Sequence, residues 1–217
     1  MQKARTDSIH ETAMHPPIKV AVIEDYAPTR RALERLVQSA GMEAAPFSSA
    51  RQFLEALVHQ QVDCAVSDVE MRGFDGLRLQ KELNKTLPHL SMVFVTGRGN
   101  VAMSVEAMKC GAVDVLEKPI DEEALLTAIY HAAERSRALK TAHDELSVME
   151  RRYERMTPRE RQVFALVTAG FLNKQIACEL GVSERTVKLY RARATEVMKA
   201  DSLPQLVHMA QRLGISA

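Results

Sequence analysis

The fold of this chain is decided by IKVAVIE at residues 18–24, EAAPF at 43–47, DCAVSD at 63–68, SMVFVT at 91–96 and VDVLEK at 113–118. Each is a short apolar run of strand length, and each is followed by a longer amphipathic stretch of helix length. This alternation predicts βα units, and therefore an α/β doubly wound fold with a parallel five-stranded sheet covered by helices on both faces. In such a sheet, ligands bind beyond the carboxyl ends of the strands.

The bulk composition is that of an ordinary globular protein. The chain has 217 residues and a formal net charge of +1, a length that suffices for two small domains with separate cores. It contains no apolar run close to the roughly 18 residues that span a bilayer, so we expect no membrane contact and a cytoplasmic location. Three cysteines, Cys64, Cys110 and Cys178, lie far apart. They suggest neither a disulfide framework nor a zinc site, and we predict that all three are core residues.

Charge is distributed unevenly along the chain. From Thr157 onward, nine Lys and Arg residues stand against five Asp and Glu residues, a net of +4, which leaves −3 for the residues before it. A basic C-terminal part is typical of nucleic-acid binding, although a solvated helix surface would have the same composition. Charge alone therefore leaves both interpretations open.

Two segments lie outside the alternating pattern. Residues 1–17 are polar and end in Pro16-Pro17, which predicts a disordered lead. Residues 121–156 contain no glycine or proline and predict one continuous helix. Apolar residues recur in it at seven-residue spacing, in two series: Leu125, Ala132, Leu139, Leu146 and Tyr153, and Ala142, Met149 and Met156. A linker at 137–156 that forms a coiled coil is one interpretation, although Arg135 interrupts the seam; a single amphipathic helix lying against one domain is the other.

A second domain is predicted at 157–217. Thr157, Pro158 and Glu160 supply an N-cap, a proline at the first helical position and a carboxylate at the third. Three more helices are predicted after this one, at 173–180, 183–198 and 202–212. Gly181 separates the first two of these, and two short helices joined by a glycine-containing turn are the sequence form of a helix-turn-helix.

Polar side chains stand at the carboxyl ends of the predicted strands. They are Glu24 and Asp25 after the first strand, Asp68 after the third, Thr96 after the fourth and Lys118 after the fifth. A lone Asp or Lys-Pro at such a place is more often a cap or a loop, but the joint occurrence predicts one site. Asp25 and Asp68 would bind Mg²⁺, and Glu24 would hold one of its waters. Asp68 would attack a phosphoryl group that the Lys118 ammonium and the Thr96 hydroxyl contact.

The predicted helix at 183–198 has two different faces. A helical wheel places an apolar face toward the core, formed by Val187, Tyr190, Ala194, Val197 and Met198. The opposite face combines cations with small or apolar side chains, which suits a DNA major groove, and the preceding helix offers Lys174 to a phosphate. The predicted DNA contacts are Lys174, Arg185, Thr186, Lys188, Leu189, Arg191, Ala192 and Arg193.

Residues 18–136 resemble a bacterial response-regulator receiver domain. The resemblance rests on Glu24-Asp25 after IKVAVI, on SDVEMRGFDG around Asp68, on VTGRG from residue 95 and on GAVDVLEKP. It implies a flavodoxin-like fold, phosphoryl transfer to Asp68 from a sensor histidine kinase, a cis Lys118-Pro119 bond, and Mg²⁺ held also by the Glu70 backbone carbonyl. The activity it implies is self-phosphorylation and self-dephosphorylation at Asp68, not turnover as an enzyme.

The stretch TPRERQVFALVTAGFLNKQIACELGVSERTVKLYRARATEVMKADSLPQLV resembles a LuxR-type helix-turn-helix. With the receiver before it, the whole chain is similar to the FixJ/NarL group of response regulators. That similarity implies a double-stranded DNA operator, contact with RNA polymerase, and a homodimer when the protein is phosphorylated or bound to DNA. In this group the last helix, here 202–212, commonly forms the dimer contact. Its apolar stripe would be Leu203, Leu206, Val207 and Ala210.

The chain departs from the receiver pattern at three positions. Arg72 stands where receivers often have proline, which we expect to alter only the loop. Val115 stands where many relatives have the Phe or Tyr whose rotation reports phosphorylation. Glu70, two residues after Asp68, is placed to alter the hydrolysis rate of the phosphoryl group.

Two further functions use the same residues. A phosphohydrolase with Glu70 as general acid would also pass through an aspartyl phosphate, but the chain has no insertion that would cap such a site. A regulator that is active without phosphate would keep the receiver as a dimerisation scaffold, and Val115 favours that alternative. The leading hypothesis is that phosphorylation of Asp68 changes the face around the fourth helix and so controls DNA binding.

Overall fold

A computed structural model describes residues 16–97 and 101–215 of the chain. The chain divides into two compact units, with the boundary between Leu139 and Lys140. Most of the predicted disordered lead, residues 1–15, lies outside the described residues.

The first unit contains a parallel five-stranded sheet of order β2-β1-β3-β4-β5. This confirms the predicted sheet and its flavodoxin-like order. The strands are β1 Lys19–Ile23, β2 Glu43–Phe47, β3 Cys64–Asp68, β4 Ser91–Thr96 and β5 Asp114–Glu117. The helices are α1 Ala27–Ser39, α2 Ala50–Ala56, α3 Gly76–Thr86, α4 Val101–Lys109 and α5 Glu122–Glu154.

Helices cover the sheet on both faces because its central strands are apolar on both sides. Along β1, Ala21 and Ile23 face one core, which α2, α3 and α4 complete. Val20 and Val22 face the other core, which α1 and the first half of α5 complete. Alternate residues of a strand point to opposite faces, so a central strand of a doubly wound sheet must be apolar throughout. The strand order reverses between β1 and β3, and a ligand site is therefore expected at their carboxyl ends.

The first half of α5 is fixed to the sheet by buried apolar side chains and by two polar contacts. Leu125, Ala128, Ile129, Ala132 and Ala133 are buried against the sheet. Near the other end of this half, the backbone N–H of Ser91 donates to the Ser136 hydroxyl over 2.8 Å. Arg137 pairs with Asp63 over 3.0 Å. The two polar contacts lie at the end of the sheet where β3 and β4 begin, opposite the strand carboxyl ends.

The second unit comprises the second half of α5, α6 Pro158–Thr168, α7 Asn173–Leu180, α8 Glu184–Met198 and α9 Leu203–Arg212. The predicted capping box is confirmed at α6, where the Glu160 N–H donates to the Thr157 hydroxyl and the Thr157 N–H donates to the Glu160 carboxylate. Gly181 has a φ of 66° and ends α7 in the left-handed conformation that glycine adopts at least cost. The predicted helix-turn-helix is therefore present as α7 and α8.

Most positions of the predicted coiled-coil seam are not free for a partner helix. Leu125 and Ala132 belong to the core of the first unit. Met149 and Met156 are buried in the core of the second, and Tyr153 packs on that core. The seven-residue pattern arises because α5 packs on a different core in each half. Of the remaining positions, Leu139 and Ala142 are exposed and Leu146 is half-buried.

The prediction that all three cysteines are core residues is correct only for Cys64. Cys64 is fully buried in β3, Cys110 is half-buried after α4, and Cys178 is exposed on α7. Burial raises the pKa of the Cys64 thiol to about 12. The prediction is wrong for Cys178 because Ile176 and Ala177 form the buried stripe of α7, which leaves Cys178 on the outer side.

Candidate functional site

Lys118 joins two of the predicted site residues at the carboxyl end of the sheet. Its Nζ lies 2.7 Å from Oε2 of Glu24 and 2.8 Å from Oδ2 of Asp68. The strand ends place it there, because the Lys118 N–H donates to the Thr96 carbonyl at the end of β4. The bond between Lys118 and Pro119 is cis, as the resemblance implied. The ends of β1, β3 and β5 therefore bring both Glu24 and Asp68 into direct contact with Lys118.

The charges of this cluster depend on one another. Glu24 is 1% exposed, and this burial raises the pKa of its carboxyl, although the Lys118 hydrogen bond opposes the shift. Burial alone would lower the pKa of the Lys118 ammonium, but its hydrogen bonds to Asp68 and Glu24 outweigh that effect and raise it. The ammonium is therefore charged at neutral pH and lies between the two carboxyl groups.

Two loops bring Asp25 into the same place. The Asp68 Oδ1 atom accepts the backbone N–H of Glu70 over 2.9 Å. Two residues further on, the backbone N–H of Arg72 donates to Asp25 Oδ2 over 3.3 Å. The turn at 70–72 thus contacts both carboxylates. A proline at position 72 would have no N–H to donate, so the expectation that Arg72 alters only the loop is incomplete: this residue also gives Asp25 a hydrogen bond.

Three contributors to the site were not predicted from the sequence. The backbone N–H of Tyr26 donates to Glu24 Oε1 over 3.0 Å, and Arg30 donates to the Glu24 carbonyl over 2.6 Å. Gly76 opens α3 directly against the site, where an added Cβ would lie 2.5 Å from the Asp68 carbonyl oxygen and 2.7 Å from a ring carbon of Phe94. The sequence signal for Gly76 is a glycine after Asp75, the helix N-cap, where a close approach of two backbones is common.

The remaining oxygen atoms have the chemistry of a Mg²⁺ site. Within residues 16–97 and 101–215, no group of three or more His, Cys, Asp or Glu side chains is arranged to hold a metal ion. Both oxygens of Glu24 accept hydrogen bonds, from Tyr26 and Lys118, and both oxygens of Asp68 accept them from Glu70 and Lys118. Of the predicted set, Asp25, Asp68 and the Glu70 carbonyl are the oxygens that could bind the ion directly. Two carboxylates and a carbonyl are hard oxygen ligands, and Mg²⁺ typically completes such a set with water. The donor set fits Mg²⁺.

Thr96 and Val115 occupy neighbouring strands beside this cluster. Thr96 is the last residue of β4 and is buried. Val115 pairs in register with Phe94 in the middle of β5, is half-buried, and packs against the core that α4 covers. An aliphatic side chain with two methyl groups replaces the aromatic ring at this position. Residues 98–100, which include the last two residues of the VTGRG motif, lie outside the described residues.

The helical wheel of α8 is confirmed for its core face. Val187, Ala194 and Met198 are buried, and Tyr190 and Val197 are half-buried. The opposite face exposes most of the predicted DNA contacts, namely Arg185, Lys188, Leu189, Ala192 and Arg193. Lys174 is exposed on α7.

Three of the predicted contacts also have partners inside the protein. Thr186 is half-buried beside the helix cap, where its N–H donates to the Ser183 hydroxyl and the two hydroxyls share a 2.8 Å hydrogen bond. Arg191 is half-buried and lies 3.4 Å from the Asn173 side-chain oxygen. Arg193 pairs with Glu196 over 3.2 Å. Lys188 and Arg191 line an open depression of about 670 Å³ that Lys199 also borders.

The predicted apolar stripe of the last helix is split by the structure. Leu206 and Ala210 are buried in the core of the second unit together with Met209. Leu203 is 43% exposed and Val207 is half-buried. The stripe therefore serves the core of its own unit first, and Leu203 and Val207 are the members of it that are accessible to a partner.

A doubly wound sheet with paired carboxylates and a lysine at its switch point, followed by a helix-turn-helix unit, defines a receiver joined to a DNA-binding domain. Family models agree: the response regulator receiver domain matches residues 20–130, and the bacterial regulatory proteins of the luxR family match residues 154–210. The chain belongs to the FixJ/NarL group of response regulators.

Individual relatives are similar to this chain over most of its length. Nodulation protein W of Bradyrhizobium diazoefficiens is 42% identical over 91% of this chain and 87% of its own length. The transcriptional regulatory protein FixJ of Azorhizobium caulinodans is 41% identical over 94% of this chain and 96% of its own. Among solved structures, the response regulator StyR is 36% identical over 91% of this chain and all of its own, with a TM-score of 0.75.

These findings define the class of activity. The chain is a two-component response regulator that controls transcription. A receiver joined to a DNA-binding domain implies a histidine kinase and DNA as partners, and receiver domains generally bind Mg²⁺ where they are phosphorylated. The relatives are regulators and not classical enzymes. Among the described residues, no helix is both long enough and apolar enough to cross a bilayer.

Proposed function

We propose that Asp68 is the phosphoacceptor through which a sensor histidine kinase controls operator binding by α8. The observation that carries this proposal is the contact of Lys118 Nζ with Asp68 Oδ2 at 2.8 Å, beside the buried carboxyl of Glu24. An ammonium bonded to one carboxylate oxygen stabilises a nucleophile before reaction. It is also close enough to bind a phosphoryl oxygen afterwards.

The chemistry follows from the groups around Asp68. A carboxylate oxygen of Asp68 forms a bond to phosphorus while the phosphorus–nitrogen bond of the kinase phosphohistidine breaks, and the imidazole leaves as the neutral base after taking up a proton. The Lys118 ammonium then pairs with a phosphoryl oxygen, and the Thr96 hydroxyl donates to another. Asp25, Asp68 and the Glu70 carbonyl would hold Mg²⁺, with Glu24 on one of its waters. The ion supplies positive charge that offsets the charge of the phosphoryl group. The Glu70 side chain tunes the rate at which the phosphoryl group on Asp68 is hydrolysed. The chemistry of the protein is the phosphorylation and dephosphorylation of its own Asp68.

Phosphorylation replaces the single negative charge of the Asp68 carboxylate with about two on the phosphoryl group, at a site whose cation is already shared. The change is transmitted through the face around α4, with Val115 in place of an aromatic reporter. The phosphorylated protein forms a homodimer, binds its operator and contacts RNA polymerase. These steps take place in the cytoplasm, where the kinase presents its phosphohistidine.

The outer face of α8 enters the major groove. Lys188 and Arg185 are placed to reach base edges, Leu189 and Ala192 to meet thymine methyl groups, and Arg191, Arg193 and Thr186 to border the groove. Lys174 lies on α7 and contacts a phosphate, which fixes the orientation without specifying sequence. The support for this proposal is the exposure of this face opposite one whose residues are buried or half-buried.

The test labels the purified protein with radioactive acetyl phosphate. The Asp68→Asn variant should incorporate no label. The matched control is Asp75→Asn, because Asp75 caps α3 on the same loop and asparagine caps a helix equally well. Equal labelling of the wild type and Asp68→Asn would disprove the assignment.

DNA binding separates a phosphate-dependent switch from a passive scaffold. A DNA duplex that the wild-type protein binds in the presence of beryllofluoride is first enriched from random DNA. The affinity of the protein for this duplex is then measured with and without that phosphate mimic. We expect tighter binding with the mimic. Equal affinities would mean that the receiver is a dimerisation scaffold, the alternative that Val115 favours. Sustained hydrolysis of a phosphate ester would instead support a phosphohydrolase.

A further inference from the structure

Except for its last residue, the second half of α5 lies before the region that the luxR-family model matches, which begins at residue 154. Residues 140–154, here called the clamp segment, nevertheless belong to the second compact unit. We propose that the clamp segment belongs functionally to the DNA-binding unit, because its Arg152 positions the recognition helix α8. Arg212 ties α9 to the same segment. This inference rests on the proposed function of α8 in DNA binding.

The clamp segment is built into the core of the second unit. Met149 is 9% exposed and belongs to the same buried cluster as residues of α6, α8 and α9. The Tyr153 ring lies 5.6 Å from the Phe164 ring, measured between centroids, in a tilted arrangement. The Arg161 guanidinium lies 5.2 Å from the centre of the Tyr153 ring. Aromatic and cation–π contacts of this kind favour a fixed orientation, so the segment is fixed in place against this unit.

Arg152 reaches the end of the recognition helix. Its Nη1 donates to the Met198 carbonyl over 3.0 Å. The last carbonyls of a helix have no partner within it, and this end of α8 satisfies them in three ways. The Thr195 carbonyl accepts from Ala200, and the Glu196 carbonyl accepts from Lys199. Met198, the last helical residue, depends on Arg152, whose positive charge also suits the negative end of the helix dipole.

The backbone at this end of α8 is in a conformation that is unfavourable for its residue type. Lys199 has a φ of 54°, the one non-glycine residue with positive φ among the described residues. The left-handed conformation is costly for a residue with a Cβ, so it persists where neighbouring contacts fix it. The Arg152 hydrogen bond to Met198, the preceding residue, is such a contact. Loss of Arg152 should therefore loosen the last turn of α8.

Arg212 makes the corresponding contact from α9. Its Nη1 lies 2.7 Å from Glu145 Oε2, and its Nη2 donates to the Ala142 carbonyl over 3.1 Å. Two donors of one guanidinium thus bind two acceptors of the clamp segment, a two-point contact that fixes orientation better than a single ion pair. The clamp segment contacts both helices that follow the turn, α8 through Arg152 and α9 through Arg212.

The clamp segment is also continuous in sequence and helix with the first half of α5. Any fraying or shift of α5 between residues 140 and 154 would alter the contacts at the end of α8. Order in the recognition helix is therefore coupled to order in the clamp segment. The clamp segment thereby sets the fraction of molecules in which the last turn of α8 is ordered for DNA binding.

The first experiment compares Arg152→Ala with Arg151→Ala in the full-length protein. Arg151 is the next residue along the helix, is exposed, and donates to the Ser147 carbonyl within α5. Arg152→Ala should weaken binding of the enriched duplex about tenfold, the usual effect of losing a hydrogen bond from a charged group. Arg151→Ala should stay within about twofold of the wild type, since the Arg151 side chain is exposed and its contact lies within its own helix. Arg152→Lys should restore part of the affinity, because lysine also donates to a carbonyl.

A local measurement distinguishes positioning from general loss of stability. Amide hydrogen exchange at residues 195–200 should accelerate in Arg152→Ala while exchange in β4 stays as in the wild type. If Arg152→Ala matches Arg151→Ala in both affinity and exchange, the clamp is refuted. If the wild type enriches no duplex at all, the proposed role of α8 fails, but the exchange measurement still tests the clamp.

The second experiment exchanges the charges of the α9 contact. Arg212→Glu should weaken duplex binding because it places two carboxylates together. Combining it with Glu145→Arg should recover part of the loss. No recovery in the double variant, together with wild-type binding in Glu145→Arg alone, would remove the α9 contact from the proposal.

Discussion

The site at the strand carboxyl ends and the outer face of α8 both consist of charged side chains, but their settings are opposite. Glu24 is 1% exposed and is hydrogen-bonded through both carboxylate oxygens. On α8, Arg185 and Lys188 are exposed to solvent. The protein itself sets the chemistry of the first region through contacts between its own residues. The chemistry of the second is completed by the molecule that binds it, so its residues can be placed by the fold but their roles depend on DNA.

This difference predicts how substitutions behave. Changes in the buried site should alter both stability and phosphorylation, because every group there supports another. Changes on the outer face of α8 should leave stability unchanged and alter only DNA binding.

The largest effect is expected at Gly76. Gly76→Ala should lower the free energy of unfolding by about 3 kcal/mol, the upper end for overpacking, because the new Cβ would clash with the Asp68 carbonyl and the Phe94 ring. Urea unfolding measures the loss, and acetyl phosphate labelling should fall with it. Gly97→Ala is the matched control, since an added Cβ there meets no atom within 4 Å. Similar stabilities for the two variants would show that the backbone beneath Asp68 yields easily, and the comparison between the regions would weaken.

Removal of the shared cation comes next. Lys118→Ala leaves Glu24 and Asp68 together without a counter-charge. Breaking a buried pair typically costs about 3–5 kcal/mol, and because the Lys118 side chain is 25% exposed we expect about 2 kcal/mol. Labelling of Asp68 should be lost as well.

The control for Lys118 is an exposed pair of the same length. Lys81 lies 2.7 Å from Glu106, as Lys118 does from Glu24. The side chains of Lys81 and Glu106 are each about half exposed. Lys81→Ala should leave stability and labelling close to those of the wild type. An equal loss in both variants would show that distance alone, and not burial, decides the contribution of the pair.

The two regions also differ in how far the sequence predicts them. The alternation of apolar runs predicts the sheet, and strand ends predict which polar residues meet, because parallel strands bring their carboxyl ends to one edge. Gly76 and Arg30 escape that reasoning, since their contacts depend on how closely the start of a helix approaches the end of the strand before it. Likewise, the hydrogen bond from Arg72 to Asp25 involves a backbone group that no side-chain pattern reports.

The helical regions show a different limit. Apolar periodicity correctly predicts that Val187 and Ala194 face a core. It does not say whose core a stripe serves, because a helix presents the same pattern to its own domain and to a partner. The apolar stripes through Leu206 in α9 and Met149 in α5 are therefore equally compatible with a dimer contact, whereas the structure buries both residues within the second unit.

A substitution on α8 tests the exposed side of the comparison. Lys188→Ala should weaken binding of the enriched duplex by about 1–2 kcal/mol if Lys188 contacts a base edge. Binding of a scrambled duplex should change much less, and urea unfolding should match the wild type. Lys174→Ala is the companion variant: it should weaken both duplexes alike and reduce the salt dependence of binding. If Lys188→Ala also weakened both duplexes equally, Lys188 would be a phosphate contact.

The smallest effect is expected at the exposed loop residue Arg72, whose backbone N–H donates to Asp25. Arg72→Pro removes the backbone N–H that donates to Asp25 Oδ2, whereas Arg72→Ala keeps it. In EDTA, Arg72→Pro should be less stable than Arg72→Ala by up to about 1 kcal/mol, the usual net contribution of one hydrogen bond. Because a bound cation would compensate the Asp25 charge in place of the N–H, added Mg²⁺ should raise the unfolding midpoint of Arg72→Pro more than that of Arg72→Ala. An identical Mg²⁺ response in both variants would mean that Asp25 gains nothing from the N–H of residue 72, and that the arginine at this position changes the loop alone.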